Sequence, residues 1–362
     1  MNATQKLHDL GQSLWLDNIT RDLLEKGTLA KYIAERNITG LTSNPTIFDH
    51  AIGKSSLYDA SIRKLRAKGG KTEDVLAELM LEDLTRAADL FRPIHERTAG
   101  VDGWVSLEVS PLLAFDTERT LAAAKSLWQR AARPNLYIKI PGTKQGVPAI
   151  EEAIFAGIPI NVTLLFSKNQ YLAAADAFVR GIERRIAAGL PANVQSVGSL
   201  FVSRWDVAVA KQAPAELRNK LGIAVAQQTY AAALERICSP RWRRIQNFGA
   251  RPQRPLWAST GTKDPNAPDL LYVDALAAPF TVNTMPEGTL DALVDHGKIG
   301  AAMAEDGADS AALLAKFGAA GVDVDSLGEQ LQQEGAAAFV KSWNELLSVL
   351  ETKAAQIGAA AG

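Results

Sequence analysis

Short apolar, β-branched runs alternate with longer stretches of helical periodicity from one end of this chain to the other, and that alternation restricts the fold more than any other feature. Candidate strands lie at residues 14–16, 39–42, 104–109, 136–140, 158–163, 194–202, 255–259 and 280–282. A helical pattern fills 20–36, with apolar positions at Leu23, Leu24, Leu29, Tyr32 and Ile33. The interval between the second and third runs is too long for one helix and predicts several. Alternation of this kind implies a parallel sheet, because parallel neighbours need a crossover between them. Eight such units fit a closed (β/α)8 TIM barrel. The rival is an open doubly wound sheet; no GxGxxG follows the first run, which weakens its dinucleotide-binding form. Residues 301–356 are rich in helix formers and interrupted at Gly318, Gly321 and Gly335. They predict a C-terminal helical extension packed on the barrel, within one domain spanning 1–362, and an Ala/Gly tail at 357–362 that frays.

Composition narrows the partners. The 362 residues are 47% hydrophobic, enough for a large core. Lys+Arg 39 against Asp+Glu 40 leaves a formal charge of -1, which gives no electrostatic ground for nucleic acid or membrane partners. Cys238 is the only cysteine, so an internal disulfide is excluded and a reducing cytoplasm is expected; Cys238 itself reads as a core residue. The first ten residues lack the apolar core of a signal peptide, and no apolar run has the length of a membrane span. A cytoplasmic globular protein, monomer or homodimer, is the expectation. His8, His50, His95 and His296 are scattered without paired spacing, so no metal is expected. Lys68-Gly69-Gly70-Lys71 lacks P-loop spacing. The run Arg241-Trp242-Arg243-Arg244, with Arg251 and Arg254 beyond it, reads as a solvated helix end rather than a nucleic-acid patch.

One charge is out of place. Lys139 stands between Ile138 and Ile140, in a run that Pro141-Gly142 terminates. A lysine near the exit of a buried strand must find a carboxylate or give up its proton. Bringing its pKa from ~10.4 to near 7 asks the surroundings for roughly 4 to 5 kcal/mol. A neutral lysine amine attacks carbonyl carbon, so Schiff-base chemistry is the functional reading. A buried ion pair with Glu108 is the alternative.

In a barrel, functional side chains project from the C-terminal strand ends. Those ends carry Asp17, Asn44, Glu108, Lys139, Thr163, Ser199 with Arg204, and Ser259 with Lys263. The set suits one reaction. In that reaction Lys139 would form an imine with a ketone, Glu108 would handle the protons of water loss, and Asp17 could take a proton from a sugar hydroxyl. Asn44 and Thr163 offer neutral hydrogen bonds, while Arg204, Lys263 and Ser259 come late in the chain, where barrels often build phosphate sites. Plainer roles stand beside these. Asp17 before Asn18-Ile19-Thr20 suits a helix N-cap, Asn44-Pro45-Thr46 a turn, Thr163 a cap, and Arg204 an ion pair on a helix face with Asp206.

Several separate motifs, in one order, resemble the transaldolase family, specifically its longer bacterial members. They are Leu16-Asp17, Gly40-Leu41-Thr42-Ser43-Asn44-Pro45-Thr46, Ser106-Leu107-Glu108-Val109 and Ile138-Lys139-Ile140-Pro141. Ile160-Asn161-Val162-Thr163-Leu164-Leu165-Phe166-Ser167, Ser199-Leu200-Phe201-Val202-Ser203-Arg204 and Trp257-Ala258-Ser259-Thr260-Gly261-Thr262-Lys263 follow. The resemblance implies Lys139 as the imine-forming lysine, Glu108 and Thr163 on the catalytic water, and Asp17 as acid/base on the C4 hydroxyl. It implies Asn44 and Asn161 on the dihydroxyacetone part, Ser199 and Arg204 at the phosphate end, and Phe201 shielding the imine. Where many members carry a second phosphate-binding arginine, this chain has Lys263, a point charge rather than a fork. The implied activity moves dihydroxyacetone from sedoheptulose 7-phosphate to glyceraldehyde 3-phosphate in the non-oxidative pentose phosphate pathway, with no cofactor. A fructose 6-phosphate aldolase-like lyase and a silent sugar-phosphate-binding barrel are the rivals.

Overall fold

A computed structural model describes residues 2–359. Eight parallel strands close into a barrel in sequence order: β1 Gln12–Asp17, β2 Ile38–Thr42, β3 Trp104–Glu108, β4 Leu136–Pro141, β5 Ile160–Leu165, β6 Ser196–Phe201, β7 Arg254–Ala258 and β8 Thr281–Met285. β1 pairs with β8, so no sheet edge is left and the open-sheet rival is excluded. Among the described residues, no helix is long and apolar enough to cross a membrane.

The strand interior is layered. Trp104 stacks on Tyr137 at 4.1 Å between centroids, and Trp15 lies 6.1 Å from Tyr137, so three aromatic rings fill the lower barrel. Gly40 makes room for them: a Cβ there would stand 2.7 Å from both Trp15 Cε2 and the Trp104 carbonyl oxygen. Because side chains alternate along a strand, Asp17, Lys139 and Glu108 continue the same inward rows toward the C-terminal ends. Register then sets Glu108 opposite Lys139 and Lys139 opposite Asn161.

Three local expectations change. Residues 20–36 form two helices, Arg21–Glu25 and Thr28–Glu35, parted at Gly27, whose φ of 70° breaks the helical path. β8 runs three residues past its expected end, because Asn283 and Thr284 read as loop yet are buried inside the barrel wall. Gly335 does not interrupt a helix. Val324–Ala359 passes straight through it, and the break falls before that helix, at Gly321 with φ 87°. Gly318 likewise lies inside the helix Ser310–Ala319. Helical backbone also continues through Ile357, where fraying is expected, and 360–362 lie outside the described residues.

Candidate active site

The C-terminal helix Val324–Ala359 lies over the barrel mouth and roofs a cavity of about 270 Å³. Asp17, Asn44, Lys139, Thr163, Ser199, Phe201, Arg204, Ser259 and Lys263 all line it. Residues scattered over most of the chain length are thus gathered by strand order alone.

Lys139 is 5% exposed, and its Nζ donates to Glu108 Oε2 and to the Ser43 carbonyl, each at 3.1 Å. The ion pair therefore exists, and it does not use up either partner. Glu108 Oε1 and Thr163 Oγ1 are both buried without a hydrogen bond to any described group. Buried polar atoms are normally paired; Thr163 lines the cavity with Lys139, and Glu108, which is not part of that lining, meets it through the Lys139 ion pair. Burial pushes the Glu108 carboxyl up, with Lys139 opposing and Asp17 adding to the rise. An acid in that environment holds and returns a proton at pH values where a free glutamate does not.

Asp17 ends β1 and caps no helix; Thr20 caps the following one, accepting from the Leu23 amide. Thr42 Oγ1 donates to Asp17 Oδ1 at 2.7 Å and stands 2.6 Å from Thr284 Oγ1. A hydroxyl has one hydrogen, so with that hydrogen on Asp17 the second contact runs from Thr284 to Thr42. Burial raises the Asp17 carboxyl, while Lys139, the Thr42 hydrogen bond and Lys263 pull it back. Asp17 and Glu108 thus face the lysine as two perturbed acids with separate partners.

Asn44 serves as a helix cap and also lines the cavity: its Oδ1 accepts from the Ile47 amide at 3.1 Å, leaving the amide nitrogen for another partner. Asn161 is fully buried and sits behind the cavity surface. It donates to Ser106 Oγ at 3.0 Å and accepts from Ser199 Oγ at 2.7 Å, tying β3, β5 and β6 beneath the lysine. Ser259 Oγ pairs with Ser203 Oγ at 2.8 Å, on a backbone held at φ 57°. Strained positions of this kind persist where surrounding structure fixes them.

Arg204 and Lys263 form the cationic wall. Neither makes an ion pair among the described residues, although Arg204 is half-buried and lies 5.5 Å from the Phe201 ring centroid. Burial lowers Arg204, partly offset by Glu334, and a guanidinium remains charged regardless. Asp206 is not its partner. That carboxylate accepts from the Leu221 and Gly222 amides and from Tyr272 OH, and burial pushes it up to about 6. Two cations without an ion pair suit a phosphate dianion.

Thr42, Thr284, the Ser43 carbonyl and Phe339 also belong to the site and are not singled out from the sequence. Thr42 and Ser43 lie inside a motif already quoted, and that is the signal that could find them. The other features fall elsewhere. Cys238 is exposed, not core, because it ends a helix beyond the last buried turn. The arginines at 241 and 244 are neutralised by Asp176 and Glu183, and Trp242 is buried.

Residues 14–350 match the family described as Transaldolase/Fructose-6-phosphate aldolase. The chain is similar to a transaldolase of Thermobifida fusca (strain YX), 48% identical over 95% of this chain and 96% of that one. A transaldolase of Parafrankia sp. (strain EAN1pec) is 45% identical over 97% of each. One from Thiobacillus denitrificans (strain ATCC 25259 / T1) is 44% identical over 96% of this chain and 99% of its own.

Proposed function

This chain belongs to the Transaldolase/Fructose-6-phosphate aldolase family and is an enzyme of the transferase class, a transaldolase, and from that premise we propose its substrates and the roles of its residues. The donor is sedoheptulose 7-phosphate and the acceptor glyceraldehyde 3-phosphate, with erythrose 4-phosphate and fructose 6-phosphate as products. The observation that carries this reading is Lys139, which lines the cavity and is held by Glu108, with Glu108 Oε1 and the cavity-lining Thr163 Oγ1 left unpaired.

The Lys139 amine adds to the C2 ketone, and water leaves as the imine forms. Glu108 Oε1 and Thr163 Oγ1 hold that water, and Glu108 moves its protons. Asp17 takes the proton of the C4 hydroxyl, the C3–C4 bond breaks, and its electron pair flows into the protonated imine to give an enamine. The aldose phosphate departs and the acceptor aldehyde takes its place. The enamine carbon attacks the new carbonyl, Asp17 returns the proton, and water releases the ketose from Lys139. Arg204 and Lys263 hold the phosphate of each aldose in turn, with Ser199, Ser259 and Asn44 setting the sugar hydroxyls and Asn161 holding Ser199 in place from behind. Phe201 keeps solvent from the imine.

The test is reductive trapping. Incubation with fructose 6-phosphate and borohydride should leave a dihydroxyacetone-sized adduct, mapped by mass spectrometry to Lys139. No adduct on active protein, or one on another lysine, would return Lys139 to a structural ion pair. Release of free dihydroxyacetone at full rate without acceptor would favour the lyase.

For the phosphate wall, Arg204→Ala should raise KM for phosphorylated sugars about 10- to 100-fold, the worth of a charge-assisted contact. An unchanged KM with lowered kcat would remove Arg204 from that role.

A further inference from the structure

The C-terminal helix presents Gln332, Gly335, Phe339 and Ser342 to the barrel mouth, a spacing that keeps them on one face. Gln332 donates both amide hydrogens, to the Gly142 carbonyl at 3.0 Å and the Leu164 carbonyl at 2.9 Å. Those carbonyls lie just past Pro141 and Thr163, and Leu164 holds φ at 57° where the β5–β6 pairing skips. Gly335 lets the helix sit close, since a Cβ there would come within 3.0 Å of Leu164 Cδ2. On the other side, Ser342 accepts from Thr46 Oγ1 at 3.0 Å. The helix is pinned on both flanks of Phe339.

Phe339 is thereby fixed. Its ring centroid lies 5.7 Å from Lys139 Nζ and meets Phe201 edge-on at 6.4 Å. Phe201 in turn lies 5.3 Å from Phe166, so three rings form a continuous apolar cap. Phe339 is 8% exposed and lines the same cavity as Asp17 and Lys139.

We propose that Phe339 is a further substrate-facing residue, whose ring sets how the lysine-bound three-carbon enamine divides between transfer to an aldehyde and loss to water. The inference rests on the Lys139 imine proposed above. In transfer, the enamine carbon forms its new bond to the aldehyde carbon. In loss, that carbon instead takes a proton from solvent, water adds to the resulting imine carbon, and the C–N bond breaks. The ketone then leaves and Lys139 regains its amine. The committing event is delivery of a solvent proton to carbon. An apolar ring over the lysine gives water no hydrogen-bond partner there, and its face favours the cationic nitrogen of the imine.

The experiment measures dihydroxyacetone release from fructose 6-phosphate without acceptor, and erythrose 4-phosphate-dependent transfer with it. Phe339→Ala should raise the release-to-transfer ratio about tenfold. Phe339→Leu, which keeps an apolar side chain of similar reach, should stay within about twofold of the unsubstituted enzyme. A ratio unchanged in the alanine variant, or raised equally in the leucine variant, overturns the proposal. If the alanine variant fails to fold by circular dichroism, Phe339→Val carries the test with a smaller expected rise, and no rise there overturns it. Trapping on Lys139 separates the two readings. A missing adduct in the unsubstituted enzyme defeats the imine mechanism, whereas an adduct with an unmoved ratio defeats only the role of Phe339.

Discussion

Lys139→Ala is expected to lower turnover by about 10⁴-fold or more while the barrel still folds, since removing the proposed covalent nucleophile leaves only positioning by the remaining groups. Its effect on stability should depend on pH. Lys139 is the group that opposes the burial-driven rise of Glu108. Without it, the folded chain keeps a proton on Glu108 at pH values where the unfolded chain, titrating near ~4.3, has released its own. The folded state then binds more protons, so stability is greatest at low pH and falls as pH rises through the raised value. Breaking a buried pair with the carboxylate charged costs about 3–5 kcal/mol, and protonation of Glu108 relieves most of that. Thermal melts of both proteins across the acid-to-neutral range measure the difference. A gap between them that does not widen with rising pH would show that Glu108 is solvated when its partner goes. Activity surviving in the variant would end the nucleophile assignment.

Asp17→Asn should separate the proposed imine formation from the proposed bond cleavage. The amide keeps the shape and still accepts from Thr42, but it cannot take the C4 hydroxyl proton. We expect kcat to fall by about 10²- to 10⁴-fold, the usual share of a general base. Lys139 should still react. Borohydride should then trap the intact ketose on Lys139 in place of the three-carbon fragment, and the two differ by the mass of the departing aldose phosphate. A three-carbon adduct forming at the unsubstituted rate would take Asp17 out of the cleavage step.

Most of the architecture is legible because burial on both faces writes parallel strands as apolar runs. The same logic explains where legibility stops. Asn283 and Thr284 extend β8 although they are polar, because Asn283 accepts from Thr260 Oγ1 at 2.9 Å and Thr284 meets Thr42. A polar residue whose partner is distant in sequence looks like loop until that partner is known. Gly335 misleads for the opposite reason. It reads as a helix breaker, but the helix packs so close to Leu164 there that a side chain would crowd it, and packing outweighs the roughly 1 kcal/mol propensity penalty. Within the site, Asp17, Glu108 and Lys139 stand out because charge interrupts an apolar run. Phe339 cannot stand out, since an aromatic on an amphipathic helix looks the same over a core as over a lysine. Asn161 is legible as a buried polar group by its motif, whereas its place behind the cavity, between Ser106 and Ser199, follows only from register.

The Thr284–Thr42–Asp17 chain gives the proposed reaction a handedness. With Oδ1 accepting from Thr42, the plane of the Asp17 carboxylate is fixed, and Oδ2, which has no protein donor among the described residues, is the oxygen offered to the ketose. The other end of the sugar is anchored by its bond to Lys139, so rotation cannot bring a misplaced hydroxyl round to the working oxygen. A ketose and its C4 epimer would therefore differ little in how readily they form the imine and greatly in whether it breaks. In the proposed reaction stereochemical choice would fall on the cleavage step, made by one oriented carboxylate and not by the number of hydroxyls that the walls can grip.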